Sequence, residues 1–297
     1  MPMSTPMNAE AMRPKAAPAD RQRYAFAGLV LIAILVAYLP TLIELGTYWF
    51  DHSEYSHGFF MPVIAAWLLW ERRDRFRDLQ PTTSWLGLAL LAASLVLLVL
   101  GEMKLSWFLK PYAFVASLVA LVWTFFGWRT VRAALPGIIA LVLMCPLPGR
   151  VQNALTLPLK NTAATLATGL LDLSGVAATL EGNQILLPGV DDLWVADACS
   201  GISSLISLVS VAIIACMLWP VAWWVRLLVV VSAIPIAVVL NGVRIWGTGL
   251  LSIQYGREAA QGFFHFFEGF VMFGLGALLL LAWAWLLGQL AERKGAA

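Results

Sequence analysis

The sequence predicts an all-α, polytopic transmembrane helical bundle of about eight helices with both termini cytoplasmic, carrying a small extracytoplasmic loop of amphipathic helix and β-hairpin. Three observations predict it. Of 297 residues, 61% are hydrophobic and only 12% charged, and the mean hydropathy is +0.82. Soluble domains carry about a quarter charged residues, so this chain has too few to clothe a water-facing globule. Apolar runs of about 17–25 residues recur, the length that crosses a bilayer core. The Lys and Arg residues gather on alternate connections, as the positive-inside rule requires.

The first 23 residues are rich in Met, Pro and Ala and hold Arg13, Lys15, Arg21 and Arg23. They read as a disordered basic cytoplasmic tail. The apolar run that follows, Tyr24–Ile43, is long for a signal-peptide core and precedes no small-residue cleavage pattern. The membrane domain extends over 24–292, and 293–297 form a second cytoplasmic tail. Its spans fall at 24–43, 57–71, 84–101, 111–128, 132–148, 201–219, 226–248 and 267–288. The second is short and follows polar residues, so a tilted or partly re-entrant course is open. With the N-terminus inside, thirteen of the nineteen Lys and Arg residues are cytoplasmic, among them Arg72, Arg75, Arg132 and Arg226. Lys104 and Lys110 give the connection after the third span the opposite vote.

One long connection, 147–198, joins the fifth and sixth spans on the outer side. Its first part, Val151–Leu171, has apolar residues at helical spacing among Gln152, Asn153, Lys160 and Asn161, the pattern of an interfacial amphipathic helix. Its second part sets Glu181-Gly182-Asn183 between the short apolar runs Val176–Leu180 and Gln184–Leu187. That pattern predicts a hairpin.

Three chemically distinct residues share one depth. Cys199 stands at the outer start of the sixth span, and His265 just before the eighth. Arg244 lies eighteen residues beyond the cytoplasmic Arg226, about 27 Å along a helix and nearly a full hydrocarbon thickness. Their types suit thiol chemistry. A helix N-terminus, a cation or a neighbouring imidazole stabilises a thiolate, with Asp197 and Ser200 as the N-cap candidates. A histidine can take the thiol proton and return it to a leaving amine, and an arginine can hold an oxyanion or a substrate carboxylate.

Each residue also has a plainer reading. Membrane cysteines are mostly packing residues, which suits Cys216, while Cys145 either packs beside Pro146 or pairs with Cys199. An arginine near a helix end snorkels to headgroups, and His265 sits within an interfacial run of four phenylalanines. A rival cluster, His52 and His57 with Asp51 and Glu54, is conceivable as a metal site. It lacks helical ligand spacing, and the segment Asp51–His57 is otherwise a cap on the second span.

The run Ala196-Asp197-Ala198-Cys199-Ser200-Gly201-Ile202, followed by Asn241-Gly242-Val243-Arg244-Ile245 and His265-Phe266-Phe267-Glu268-Gly269, resembles the exosortase/archaeosortase family. Ser56-His57-Gly58-Phe59, with Trp70 and Arg72-Arg73 after it, is similar to that family too. The resemblance covers about residues 25–290. It implies a membrane-embedded cysteine transpeptidase with Cys199 as nucleophile and Arg244 and His265 completing the site. Ser200, Asn241, His57 and Glu268 take supporting or substrate-binding places. It further implies substrates that are exported proteins bearing a C-terminal sorting signal (PEP-CTERM-like): a short motif such as Pro-Glu-Pro, one hydrophobic helix and a basic end. Many members carry an arginine shortly after the C-S-G element, where this chain has Ser203 and Ser204, which leaves the subfamily open.

Such a reaction needs no cofactor and no metal. Nothing in the chain has the basic, aromatic-studded character of a nucleic-acid-binding tract, and the expected surroundings are the bacterial inner membrane and its lipid bilayer. Two rival classes are a transporter or polysaccharide-assembly protein without covalent chemistry, and a histidine-based metalloenzyme. The first would need a polar midplane pathway, and the sequence has almost no ionisable residues at mid-depth.

Overall fold

The apolar runs fold into helices because a bilayer core leaves backbone N–H and C=O groups no partner but each other. In the computed structural model the backbone is described for residues 18–103, 106–182, 184–187, 190–194, 201–219, 221–256 and 263–295. Side chains are described for the same residues except 18–20, 190–194, 263–270 and 292–295. The helices are α1 (Pro18–Ala37), α2 (Leu39–Asp51), α3 (Met61–Glu71), α4 (Asp74–Arg77), α5 (Trp85–Glu102), α6 (Leu109–Phe126), α7 (Trp128–Leu143), α8 (Gly149–Leu173), α9 (Ile202–Leu218), α10 (Trp223–Tyr255) and α11 (Phe263–Gly295). A 3-10 helix, Ser53–Phe59, joins α2 to α3.

Four described stretches are long and apolar enough to cross a membrane: Trp85–Glu102, Leu109–Phe126, Trp223–Tyr255 and Val271–Ala291. The pair Arg21–Ala37 and Leu39–Asp51, bent by 56°, makes a fifth if taken as one span. The chain is thus an all-α multi-pass membrane protein with four to five such spans. The expected single helix 24–43 is broken at Tyr38, where Pro40 opens α2. The Tyr38 hydroxyl is fully buried and bonds to the Ser94 carbonyl at 3.2 Å and the Ser117 hydroxyl at 3.0 Å. A phenol inside an apolar bundle needs such partners, and they hold the bend against α5 and α6.

Contacts at the chain turns sort the connections into two ends. At one end Arg23 donates to the Pro81 carbonyl at 3.0 Å, Arg72 donates to the Met217 carbonyl at 2.6 Å, and Thr82 N–H reaches the Phe126 carbonyl. These are the connections that the charge pattern groups on the cytoplasmic side. At the other end Lys110, 4% exposed, lies 2.7 Å from Glu44 and 3.0 Å from Glu102. Two carboxylates therefore neutralise Lys110, one of the two residues that voted against the charge pattern; the other, Lys104, lies outside the described residues. A paired lysine carries no net field to orient a loop. Helix α3, about 16 Å long, runs between the two ends and packs on α7.

The expected helix 151–171 is α8, and its Ala163, Ala164, Ala167 and Leu171 are buried on α10 and the sheet. A Cβ on Gly242 of α10 would stand 2.6 Å from Leu166 of α8. Small residues on both helices allow this close approach.

The expected hairpin has a third strand. β1 (Thr179–Glu181), β2 (Gln184–Leu187) and β3 (Val190–Trp194) form one antiparallel sheet in the order β1-β2-β3. Glu181 pairs with Gln184 across the turn, Gly182 adopts φ 61°, and Ile185 pairs with Leu193. The turn needs a residue tolerant of positive φ, which Gly provides. Ile185 and Leu187 bury against Ile245 of α10, so the sheet sits one residue from the level of Arg244.

Candidate active site

Helix α10 carries the best-described part of the site. It is one continuous helix through Pro235, so the eighteen residues from Arg226 to Arg244 do span about 27 Å. Asn241, Arg244, Thr248 and Ser252 are buried at 3%, 7%, 6% and 2% exposure. Their spacing of three, four and four residues puts all of them on one helix face. Thr248 donates to the Arg244 carbonyl at 3.0 Å, and Ser252 to the Thr248 carbonyl at 2.8 Å. Such back-bonding satisfies hydroxyls on a buried face. The polar stripe therefore continues two turns past Arg244. Thr248 and Ser252 belong to none of the motifs in the sequence, although they continue the helical period of Asn241 and Arg244.

The start of α9 meets this stripe. Gly201 is the N-cap, with φ 72° in the left-handed region. A Cβ there would stand 2.9 Å from Asn241 Nδ2 and 3.0 Å from Asn241 Cγ. The cap expected from Asp197 or Ser200 is thus Gly201 instead. The backbone must turn left-handed beside a packed side chain, a conformation that only glycine adopts without strain. This contact joins the end of the Cys199-Ser200-Gly201 element to α10, one helical turn from Arg244. Cys199 is two residues before the cap, and it lies outside the described residues together with Ser200 and Asp197. His265 falls in the first turn of α11, and Glu268 one turn later. The side chains of both lie outside the described ones.

The remaining cysteines are packing residues. Cys145 is a buried free thiol whose Sγ points at the Leu141 carbonyl, 3.5 Å away. Cys199, its alternative partner, lies outside the described residues. Cys216 is buried near the Arg226 carbonyl.

His57 has a structural place. Its Nε2–H donates to the Leu143 carbonyl at 3.2 Å, capping the end of α7. Next to it Gly58 lies against the Trp49 indole, whose Nε1 donates to the Met144 carbonyl at 3.0 Å. The Tyr55 hydroxyl donates to Gln152 at 3.3 Å and accepts from the Leu147 N–H at 3.0 Å, and burial pushes its pKa up to about 12. The Ser56–Phe59 motif is therefore a clasp that ties the 3-10 helix to the α7–α8 turn and packs on α9. His52 Nδ1 lies 3.1 Å from the Tyr48 carbonyl, and its ring stacks on Tyr48 at 3.9 Å. Among the described residues no three His, Cys, Asp or Glu side chains group as metal ligands. The two histidines of the rival cluster turn to backbone carbonyls instead.

Burial holds His57 below the ordinary imidazole value of 6.5, with the bond to the Leu143 carbonyl opposing the shift. The fold thus prefers the neutral ring, while the unfolded chain takes up a proton first as the pH falls. Stability is expected to drop as pH falls through about 6.5 and to level off below the folded-state value. Thermal unfolding in detergent between pH 7.5 and 5 checks this, since His57→Gln should flatten the slope. Equal slopes for the two proteins would contradict it.

A multi-pass helical membrane protein with a glycine-capped helix start packed beside a buried arginine, and a helical histidine nearby in the chain, is the class that fold and site define. Comparison with known families carries this further. The model of the transmembrane exosortases (Exosortase_EpsH) matches residues 49–282, well over half of the chain, and the chain belongs to that family. The match takes in the clasp, Cys199, Asn241, Arg244 and His265. No curated protein and no solved structure matches.

Proposed function

We propose that the protein is a thiol peptidase/transpeptidase that cleaves the C-terminal sorting signals of exported proteins at the outer face of the cytoplasmic membrane. Family membership implies the processing of sorting signals. The observation that supports the residue assignment is the packing of Gly201, two residues after Cys199 in the chain, on Asn241, one turn from Arg244.

In this reading the bundle crosses the membrane eight times with both termini inside, α3, α7 and α9 making the shorter crossings. The substrate's hydrophobic helix enters laterally beside α9 to α11, which sets its motif at the outer boundary. The Cys199 thiol gives its proton to His265 and attacks the scissile carbonyl carbon. A C–S bond forms and the carbonyl electron pair moves to oxygen, where Arg244 balances the charge. The intermediate collapses with cleavage of the C–N bond. The leaving nitrogen takes the proton from His265 and departs as the amine of the C-terminal fragment. The remaining thioester acylates an acceptor amine, or water, and the thiolate is restored. Asn241 and Ser200 assist by hydrogen bonding, Glu268, three residues after His265 in the chain, takes a supporting place, and His57 holds the clasp behind α9.

The test is to trap the acyl-enzyme. Purified protein mixed with a sorting-signal peptide and quenched in acid should show a mass adduct at Cys199 that hydroxylamine removes. If the peptide were cleaved with the adduct on another residue, or with none formed under any quench, the assignment would fail.

A further inference from the structure

The opposite end of the bundle holds a cleft that the thiol chemistry does not use. It lies between α3, α7, α9 and α10, has a volume of about 1080 Å³, and is lined by Arg72, Arg75, Arg132 and Arg226. It is about 27 Å along α10 from Arg244, by the same eighteen-residue rise. Two acidic residues also line it, Glu71 and Asp74. Asp74 is already paired with Arg77 at 2.7 Å, and none of the four lining arginines makes an ion pair among the described residues. With Glu71 counted against them, the cleft keeps an excess of three positive charges.

The charges of three of these arginines act on one another. Burial first, then the charges of Arg75 and Arg226, hold Arg72 below the usual guanidinium range. Arg72 donates one bond to the Met217 carbonyl and Arg226 one to the Val221 carbonyl. A guanidinium has five N–H donors, so most remain for a ligand. Four arginines without an ion pair lining one cleft match the charge of a phosphate and offer it fork-shaped donors.

The rest of the lining says where that phosphate is attached. Leu135, Ile139 and Val230 form an apolar wall, and Trp67 and Trp219 stand in the cleft. Trp70 and Trp223, at 67% and 76% exposure, project from the same end. Tryptophan gathers at the membrane–water boundary, so the arginines lie at headgroup depth with apolar surface beside them. The Lys and Arg distribution assigns this end to the cytoplasm, the leaflet rich in anionic lipid.

We propose that the cleft between α3, α7, α9 and α10 binds the phosphate headgroup of an anionic phospholipid, with the acyl chains along its apolar wall. The lipid bridges four helices and balances arginines that otherwise repel one another, so it stabilises the bundle independently of the thiol site.

The full chain in a neutral detergent is titrated with phosphatidylglycerol, with phosphatidylcholine of the same chains, and with inorganic phosphate. Bound lipid is counted by native mass spectrometry and unfolding is followed by temperature. Phosphatidylglycerol should be retained and should raise the unfolding temperature, while phosphatidylcholine is lost. Removing Arg132 or Arg226 as Arg132→Gln or Arg226→Gln should weaken retention by about fivefold each. Arg129→Gln, outside the cleft lining, should leave it unchanged, and so should Cys199→Ala. Arg132 is exposed with no described hydrogen bond, so its replacement leaves the fold intact. Equal retention of both lipids, full retention by Arg132→Gln and Arg226→Gln, or displacement of phosphatidylglycerol by inorganic phosphate would each overturn the proposal.

Discussion

Cys199→Ala is expected to abolish cleavage of a co-expressed sorting-signal substrate while the protein stays inserted in the membrane. The proposed route runs through a thioester, and alanine has no atom to form one. Water alone, activated by the remaining groups, leaves on the order of 10⁴-fold less reaction or worse. Arg244 should follow at a smaller scale. Losing one charged donor to a developing oxyanion costs about 10²–10³-fold, so Arg244→Gln should slow processing by that factor. Arg244→Lys should not restore it fully, because a point charge replaces a rigid fork of donors. Immunoblots of precursor and product, with membrane fractions as the insertion control, read all three variants. Undiminished cleavage by Cys199→Ala would remove the thiol from the mechanism.

Gly201→Val is the second large effect, and it acts without touching a reactive atom. At φ 72° a side chain costs about 1–2 kcal/mol from backbone strain alone, more for a β-branched one. Its Cβ would also press on the Asn241 side chain, whose Nδ2 is 2.9 Å from the position it must take. The chain relieves this by moving the start of α9, and Cys199 is two residues away. A displacement of 1 Å at a reacting group costs about 10²-fold, so processing should fall by that order with a modest loss of thermal stability. Gly201→Ala should show the same pattern in weaker form. Adding Asn241→Ala to Gly201→Ala relieves the contact but not the φ, so stability should recover in part. Wild-type processing by Gly201→Val would show that the cap does not position the thiol.

Much of this architecture was legible beforehand because it is written in composition and period. The helix expected over 151–171 appears as α8, since apolar residues at helical spacing bury wherever the partner is. The turn at Glu181-Gly182-Asn183 was readable because few residues other than glycine suit it. The bend at Tyr38 was not, even with Pro40 adjacent, because its cause is a pair of hydroxyl partners on α5 and α6. The third strand escaped for a similar reason. Val190–Trp194 opens with Val190-Asp191-Asp192, which has weak strand character, and it pairs because β2 offers an edge. His57, expected in a supporting place or as part of a cap, meets the Leu143 carbonyl, a partner 86 residues away that the local sequence does not name.

By itself, then, the sequence determined that the chain lives in a membrane, offered the candidates for reactive chemistry, and set how far Arg244 stands from Arg226 along its helix. Those properties follow from transfer free energy, side-chain type and the fixed rise of a helix, none of which needs a neighbour. Only the tertiary structure decided that Gly201 caps α9 against Asn241, that Lys110 is neutralised by Glu44 and Glu102, and that Arg72 after α3, Arg75 of α4, Arg132 of α7 and Arg226 of α10 share one cleft. Each of these joins residues far apart in the chain, and pairing energies depend on distances that local sequence does not set.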